Sequence, residues 1–353
     1  MKHMKTLTSL VLAFCLVFGL AACGSQTAAP TTAATEAVAE TVTEPAAEST
    51  AAESHYPVTV TNFNYAGEEI SHTYEKAPER VIAIYQNCVE TMIALGLEDH
   101  VIASFGLDNP VKPEWEEGFA KMHYDDSVFR PDKETVTMLN PDMIFSWGSI
   151  FDEKKLGDIP AWNDKGVATF MSTNSVIGRP RQLENEYTDI LNIGKIFDVE
   201  DKAEAMVNEM KAAIDETIAK TQGQEAPRAV IIQNRSDGSI RNFPATTLPG
   251  DMIIHLGGTL IKAEGEDISK EELVALDPDV FFVTHMAYRS DDPEAALKAE
   301  LEKITEDPAL ASLSAVKNGR VIPILLDEVY ASGPRTLDGI VHLTEGMYPD
   351  LSK

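Results

Sequence analysis

Cysteine is nearly missing from this chain: three occur in 353 residues, at positions 15, 23 and 88. The first two fall in an N-terminal segment that is not part of the folded body, so Cys88 is left alone and no intramolecular disulfide can form, even in an oxidising compartment. Basic residues are scarce too, with 29 Lys and Arg against 57 Asp and Glu and a formal charge of −28. A chain this acidic does not bind nucleic acid by neutralising phosphates. Recognisable catalytic motifs are also lacking: there is no Gly-x-Gly-x-x-Gly, Walker-type phosphate loop, Gly-x-Ser-x-Gly or His-Glu-x-x-His. The histidines of the body (55, 72, 100, 123, 255, 285 and 342) are scattered without metal-ligand spacing, which argues against a dedicated zinc site. Cys88, between a strand end and a helical run, reads as a structural thiol rather than a nucleophile.

What is present begins with an export signal. Lys2 and Lys5 precede an apolar run from Leu10 to Leu20, too short to span a bilayer permanently, and small residues follow in Ala-Ala-Cys23-Gly. The Cys after small residues resembles a bacterial lipobox, which implies a signal peptide over 1–22 and lipidation of Cys23. Without residues 1–22, which hold two Lys and no acid, the formal charge moves from −28 to −30. From 24 to 55 the chain is almost entirely Ala, Thr, Glu, Ser and Pro. That composition buries too little apolar area to offset its ordering entropy, so 23–55 is expected to be a flexible tether.

The remaining length suffices for two domains, and one phrase is written in it twice. Glu134-Thr-Val-Thr-Met-Leu-Asn-Pro-Asp142-Met-Ile-Phe145 and Glu271-Glu-Leu-Val-Ala-Leu-Asp-Pro-Asp279-Val-Phe-Phe282 share a Glu opening a helical turn, a Leu closing it, a Pro-Asp turn and an apolar strand. Two copies are too few for a solenoid and point to two similar lobes. After a hairpin pattern at 58–61 and 69–74, strand patterns at 80–85, 101–105, 142–147 and 167–171 fill the first half. Those at 228–233, 259–262, 279–284 and 320–324 fill the second. Alternation with helical segments predicts an α/β fold of two lobes, each a mostly parallel sheet with helices on both faces.

Between them, 182–225 is predicted to be a helical connection. Its longest element, 201–221, carries an apolar stripe at Ala203, Met206, Val207, Met210, Ile214 and Ile218. The lobes are then 56–181 and 226–353, with the ligand between them.

Ligands of open parallel sheets bind outside the C-terminal strand edge. Positions just past those ends carry Tyr85, Trp147, Arg179, Arg235, Arg241, His285, Tyr288, Arg289 and Arg335. Rings and guanidinium groups recurring there in an acidic chain suggest a cleft for a large, partly apolar ligand with anionic groups. In this reading Arg235, Arg241 and Arg335 neutralise the anionic groups, while Trp147, Tyr85 and Tyr288 cover the apolar surface. Glu134 and Glu271, at equivalent places in the repeated phrase, either complement the dipoles of their helices or offer one acidic contact per lobe to a two-fold partner.

The exported body resembles the ABC-transporter solute-binding proteins with a helical backbone, which deliver iron-siderophores, haem and cobalamin. The marks are Pro78-Glu-Arg-Val-Ile-Ala-Ile84, Glu90-Thr-Met-Ile-Ala-Leu-Gly96, Leu139-Asn-Pro-Asp142, Gly194-Lys-Ile-Phe197, Leu276-Asp-Pro-Asp279, Val316-Lys-Asn-Gly-Arg-Val321 and Gly333-Pro-Arg-Thr-Leu-Asp-Gly339, in order over 58–349. The resemblance implies two lobes joined by one long helix, small hinge motion, no catalysis, and Glu134 and Glu271 docking onto an ABC permease dimer with its ATPase. It further implies a monomer anchored by lipid on the outer face of the cell membrane, binding a ferric siderophore or similar metal chelate. Haem or cobalamin is the alternative, with His285 or Tyr288 as axial ligand. A zinc or manganese receptor and a Cys88-dependent hydrolase are the readings from other classes.

Overall fold

The computed structural model describes residues 54–287, 292–330 and 332–351, which lie within one compact unit. The segments predicted as signal peptide and tether, with Cys23, fall outside the described residues but for 54 and 55, as do Tyr288 and Arg289.

A hairpin opens the body: β1 (Val58–Phe63) pairs antiparallel with β2 (Glu69–Tyr74). It is fastened to the first sheet by Asn62, whose amide donates to Met171 O (3.0 Å) and accepts from Met171 N (2.8 Å), as a further strand would. That sheet contains β3 (Val81–Ile84), β4 (Val101–Phe105), β5 (Met143–Ser146) and β6 (Ala168–Met171), all parallel, in the order β4-β3-β5-β6.

The second sheet repeats this order. β7 (Arg228–Asn234) lies beside β10 (Val280–His285), which pairs with β11 (Val321–Leu325). On the other side of β7, β9 (Thr259–Leu260) runs parallel at one end. At the opposite end β8 (Ile240–Asn242) runs antiparallel. β8 was not expected from the sequence: three residues after a Gly238 turn are too few to show a period.

Strand alternation divides the core. Val81 and Ala83 of β3, Ala229 and Ile231 of β7, and Val280 and Phe282 of β10 face one large cluster shared by both sheets. Ile82 and Ile84 face a second cluster confined to the first lobe, and Val230, Ile232, Phe281 and Val283 face a third in the other. Both faces of each sheet are therefore buried, which explains why these strands read as unbroken apolar runs.

The repeated phrase folds into the same device twice. Asp132 caps the helix Lys133–Leu139 by accepting from Thr135 N, and Ser269 caps Lys270–Leu276 by accepting from Glu272 N. Asn140 and Asp277 end these helices in the left-handed conformation (φ 48° and 43°). Arg80 then donates to Leu139 O and Asn140 O, and Arg228 to Leu276 O and Asp277 O. Asp142 accepts from Glu79 N and Arg80 N (2.8 Å each), whereas Asp279 accepts from Arg228 N (2.9 Å). The Pro-Asp pair thus locks the start of one strand to the turn before its neighbour.

The helices Leu183–Phe197 and Glu200–Thr221 connect the sheets, and 22 residues at ~1.5 Å make the second a rod of roughly 33 Å. Ala203, Val207, Met210 and Ile214 are buried on it as the stripe predicted; Ile218 instead is exposed, and Thr217, bonded to Ala213 O, takes the buried position. The lobes also meet at Gly333 (φ 52°), where a Cβ would lie 2.8 Å from Thr91 Oγ1 and 3.2 Å from Asn87 O, so only glycine fits both the conformation and the approach.

Candidate functional site

Tyr85 follows β3 directly with φ 77°, an unusual value for a tyrosine, and the helix Gln86–Ala94 starts right after it. The side chain turns over a cavity of about 490 Å³ between the C-terminal strand ends of the two lobes. That volume lies in the range of small-molecule sites. Gly106, after β4, has φ 79°, and a Cβ there would sit 3.0 Å from Phe129 O and 3.3 Å from the Tyr85 ring, so the chain passes close under the wall.

The wall is an aromatic stack held between guanidinium groups. Trp147 from the first lobe stacks on Tyr330 from the second (centroids 5.7 Å, 27°). Arg181 lies 4.4 Å from the Tyr330 ring and 5.5 Å from Trp147; Arg241 lies 5.3 Å from Tyr330 and 4.7 Å from Phe243. Arg130 completes the cationic lining beside Phe129. Among the described residues none of these three guanidinium groups has a carboxylate partner, and the buried Nε of Arg241 has no hydrogen-bond partner. Three unneutralised cations over stacked rings suit an anion with apolar surface.

Of the residues chosen from the sequence, Tyr85, Trp147 and Arg241 line this cavity. Four do not. Arg179 is exposed over Phe63 (4.1 Å) and faces Glu69, because the β-hairpin takes up its side chain. Arg235 pairs with Asp267 (2.8 Å) on the outer side of the second lobe, in the turn before β8 that the sequence did not reveal. His285 lies against Glu300 (3.4 Å). Arg335 is buried, with Nε and Nη2 both 2.7 Å from Glu90, Nη2 donating to Pro110 O and Nη1 3.1 Å from Asp327. It is a bolt between the lobes rather than a ligand contact. Burial lowers its affinity for the proton, but the Glu90, Asp327 and Asp338 carboxylates together hold it above the ordinary arginine value.

The sequence reading missed Arg181, Arg130 and the acids of the floor. Asp108 and Asp327 line the cavity, and burial pushes their carboxyls up to about 6 and about 7. Gln86 sets this floor: its Oε1 accepts from Asp108 N and Asn109 N while its amide donates to Glu90. Behind it Glu186, accepting from Asn174 and Gly333 N, is pushed by burial to about 7.

Cys88 is fully buried, and desolvation, helped by Asp189 and Glu186, raises its thiol well above the ordinary value, so no reactive thiolate exists for hydrolysis. His55, Asp198 and Glu200 bring ligating atoms within 4.8 Å of one another, a grouping that spacing along the chain does not show, but none lines the cavity. Glu134 and Glu271 are exposed at the second position of their two capped helices, without ion-pair partners among the described residues. No helix among the described residues is long and apolar enough to cross a membrane.

Comparison with known proteins agrees with this fold. A family model described as periplasmic binding protein matches residues 81–325. An uncharacterised ABC transporter substrate-binding lipoprotein of Bacillus subtilis (strain 168) is 25% identical over 304 residues, covering 84% of this chain and 88% of the relative. The petrobactin-binding protein of the same organism is 26% identical over 269 residues, covering 73% and 78%. Among solved structures, a periplasmic binding protein from Veillonella parvula superimposes with a TM-score of 0.78 at 31% identity, over 84% of this chain and 93% of that one.

Proposed function

The chain belongs to the periplasmic binding protein family, and from that premise we propose that it captures a ferric siderophore or related metal chelate outside the cytoplasm. It is the substrate-binding component of an ABC transporter, a binding protein rather than an enzyme, and works with a permease and its ATPase. Support for the chelate comes from one observation: Arg130, Arg181 and Arg241, unneutralised among the described residues, surround a Trp147–Tyr330 stack in a cavity of about 490 Å³. Guanidinium forks match catecholate and carboxylate oxygens, and the rings match the organic face of the chelate. The petrobactin-binding relative adds weight from outside the chain. Haem is less well supported, since His285 is directed to Glu300 instead of the cavity.

In this proposal residues 56–181 and 226–353 act as the two lobes around the connection 182–225. Glu134 and Glu271 meet the permease dimer, one per lobe, and Cys23 carries the lipid that holds a monomer at the outer face of the membrane. The lipoprotein relative supports the anchor. Titration of the purified chain with ferric siderophores, haemin and cobalamin, followed by tryptophan fluorescence and visible absorbance, tests the reading. Saturable binding of a ferric chelate is expected; binding of haemin or cobalamin alone refutes it.

A further inference from the structure

The cleft is not uniform along its length, and the strand orders show why. Arg181 follows β6 and Arg241 sits on β8, at one edge of each sheet, and Arg181 N donates to Thr246 O (2.9 Å) where those edges meet. Asp108 and Asn109 follow β4 and Asp327 follows β11, at the opposite edges, where Asn109 Nδ2 donates to Asp327 Oδ2 (2.5 Å) across the lobes. One end is therefore cationic and the other is built of acceptors.

The acceptor end is incompletely satisfied. The Asp327 side chain is 9% exposed, and its Oδ1 has no hydrogen-bond partner among the described residues, nor does Asn109 Oδ1. The Asp108 carboxylate, on the same wall, makes no ion pair there either. Arg335 is shared between Glu90 and Asp327, and Lys112 is engaged by Asp338, so acids outnumber the cations that reach them. Arg130, also on the stretch after β4, makes no ion pair with Asp108 or Asp327. A second anionic group placed directly against Asp108 and Asp327 would be repelled, whereas an N–H donor carrying positive charge would complement the unsatisfied oxygens there.

Resting on the chelate reading above, we infer that the ligand carries an ammonium arm besides its anionic chelating groups, and that Asp108, Asn109 and Asp327 receive that arm while Arg181 and Arg241 hold the anionic end. The elevated proton affinity of Asp108 and Asp327 agrees with a site short of positive charge: burial raises both carboxyls, and for Asp327 the Arg335 guanidinium at 3.1 Å only partly offsets it.

The test uses two ferric bis-catecholamide chelates built on the same linear triamine, one with its central nitrogen a free ammonium and the other with that nitrogen acetylated. Both are titrated into the purified chain and into Asp108→Asn and Asp327→Asn. The chain should bind the ammonium form at least ten-fold more tightly, and each variant should bring that ratio toward one. Equal affinity for the two forms, or preference for the acetylated one, overturns the inference while leaving chelate capture standing, and so does a ratio that survives both substitutions. Failure of both chelates to bind overturns the chelate reading and this inference with it. If Asp327→Asn does not fold, the ratios of the unsubstituted chain and of Asp108→Asn decide.

Discussion

Replacing Arg241 and Arg335 by alanine tests whether the first contacts the ligand and the second bolts the lobes together. The Arg241 guanidinium lies on Tyr330 and Phe243 in the cavity lining and has no carboxylate partner among the described residues, so its charge is available to a ligand. A charge-assisted hydrogen bond contributes about 1.5–3 kcal/mol, so Arg241→Ala should weaken chelate binding by roughly 10- to 150-fold. Its loss to the fold is limited to partly exposed ring contacts of about 0.5–1 kcal/mol each, so Tm should move by only a few degrees. Arg335→Ala behaves in the opposite way. It leaves Glu90 and Asp327 buried without their shared cation, a cost of about 3–5 kcal/mol, which should lower Tm by on the order of 10 °C. The assay is convenient because Trp147 stacks in the cavity wall, so fluorescence titration reads occupancy while a thermal melt reads stability. The reasoning is refuted if Arg241→Ala binds chelate as the parent does, or if Arg335→Ala melts at the parent temperature and loses only affinity.

Other expectations follow from the same geometry. Glu186 is neutral-leaning in the fold at about 7 against an ordinary 4.5, so its contribution to stability is complete below about pH 4.5 and is lost as pH rises through 7. The stability of the parent relative to Glu186→Gln, from urea melts, should therefore fall by up to about 1.4 kcal/mol per pH unit across that window; a difference independent of pH contradicts it. Asp142→Ala should cost about 1–2 kcal/mol and more than Asp279→Ala, since Asp142 accepts two backbone N–H groups and Asp279 one; an equal or reversed order in denaturant melts would refute the clamp. Reversing both Glu134 and Glu271 to Arg should abolish uptake in cells while leaving the chelate Kd of the purified protein within two-fold; retained uptake removes them from the docking surface.

How much of this was legible beforehand varies by element. The eight sheet strands written as apolar runs and the long connecting helix appeared within a few residues of their expected bounds, because burial on both faces and a 3.6-residue stripe leave marks that local sequence carries. The repeated phrase was visible for the same reason: caps, left-handed turn and Pro-Asp clamp are all local chemistry. β8 left no such mark, and with it went the placement of Arg235, whose turn points outward to Asp267.

The site residues divided along the same line. Strand ends located the cleft, and Tyr85, Trp147 and Arg241 lie in it. Nothing local separates Arg179 from Arg181, two residues apart after β6; the distant hairpin bearing Phe63 and Glu69 engages the first, while the second lies in the cavity wall. Arg335 looked identical in kind to Arg241, and only the arrival of Glu90 from the other lobe turned it into a bolt. Sequence alone determined the two α/β lobes, their clamps and the rod between them, since each depends on neighbours along the chain. Tertiary structure decided which cations stay unpaired and which acids stay unsatisfied, since a charge is neutralised by whatever the fold brings within a few ångströms, however far away in the chain it was encoded.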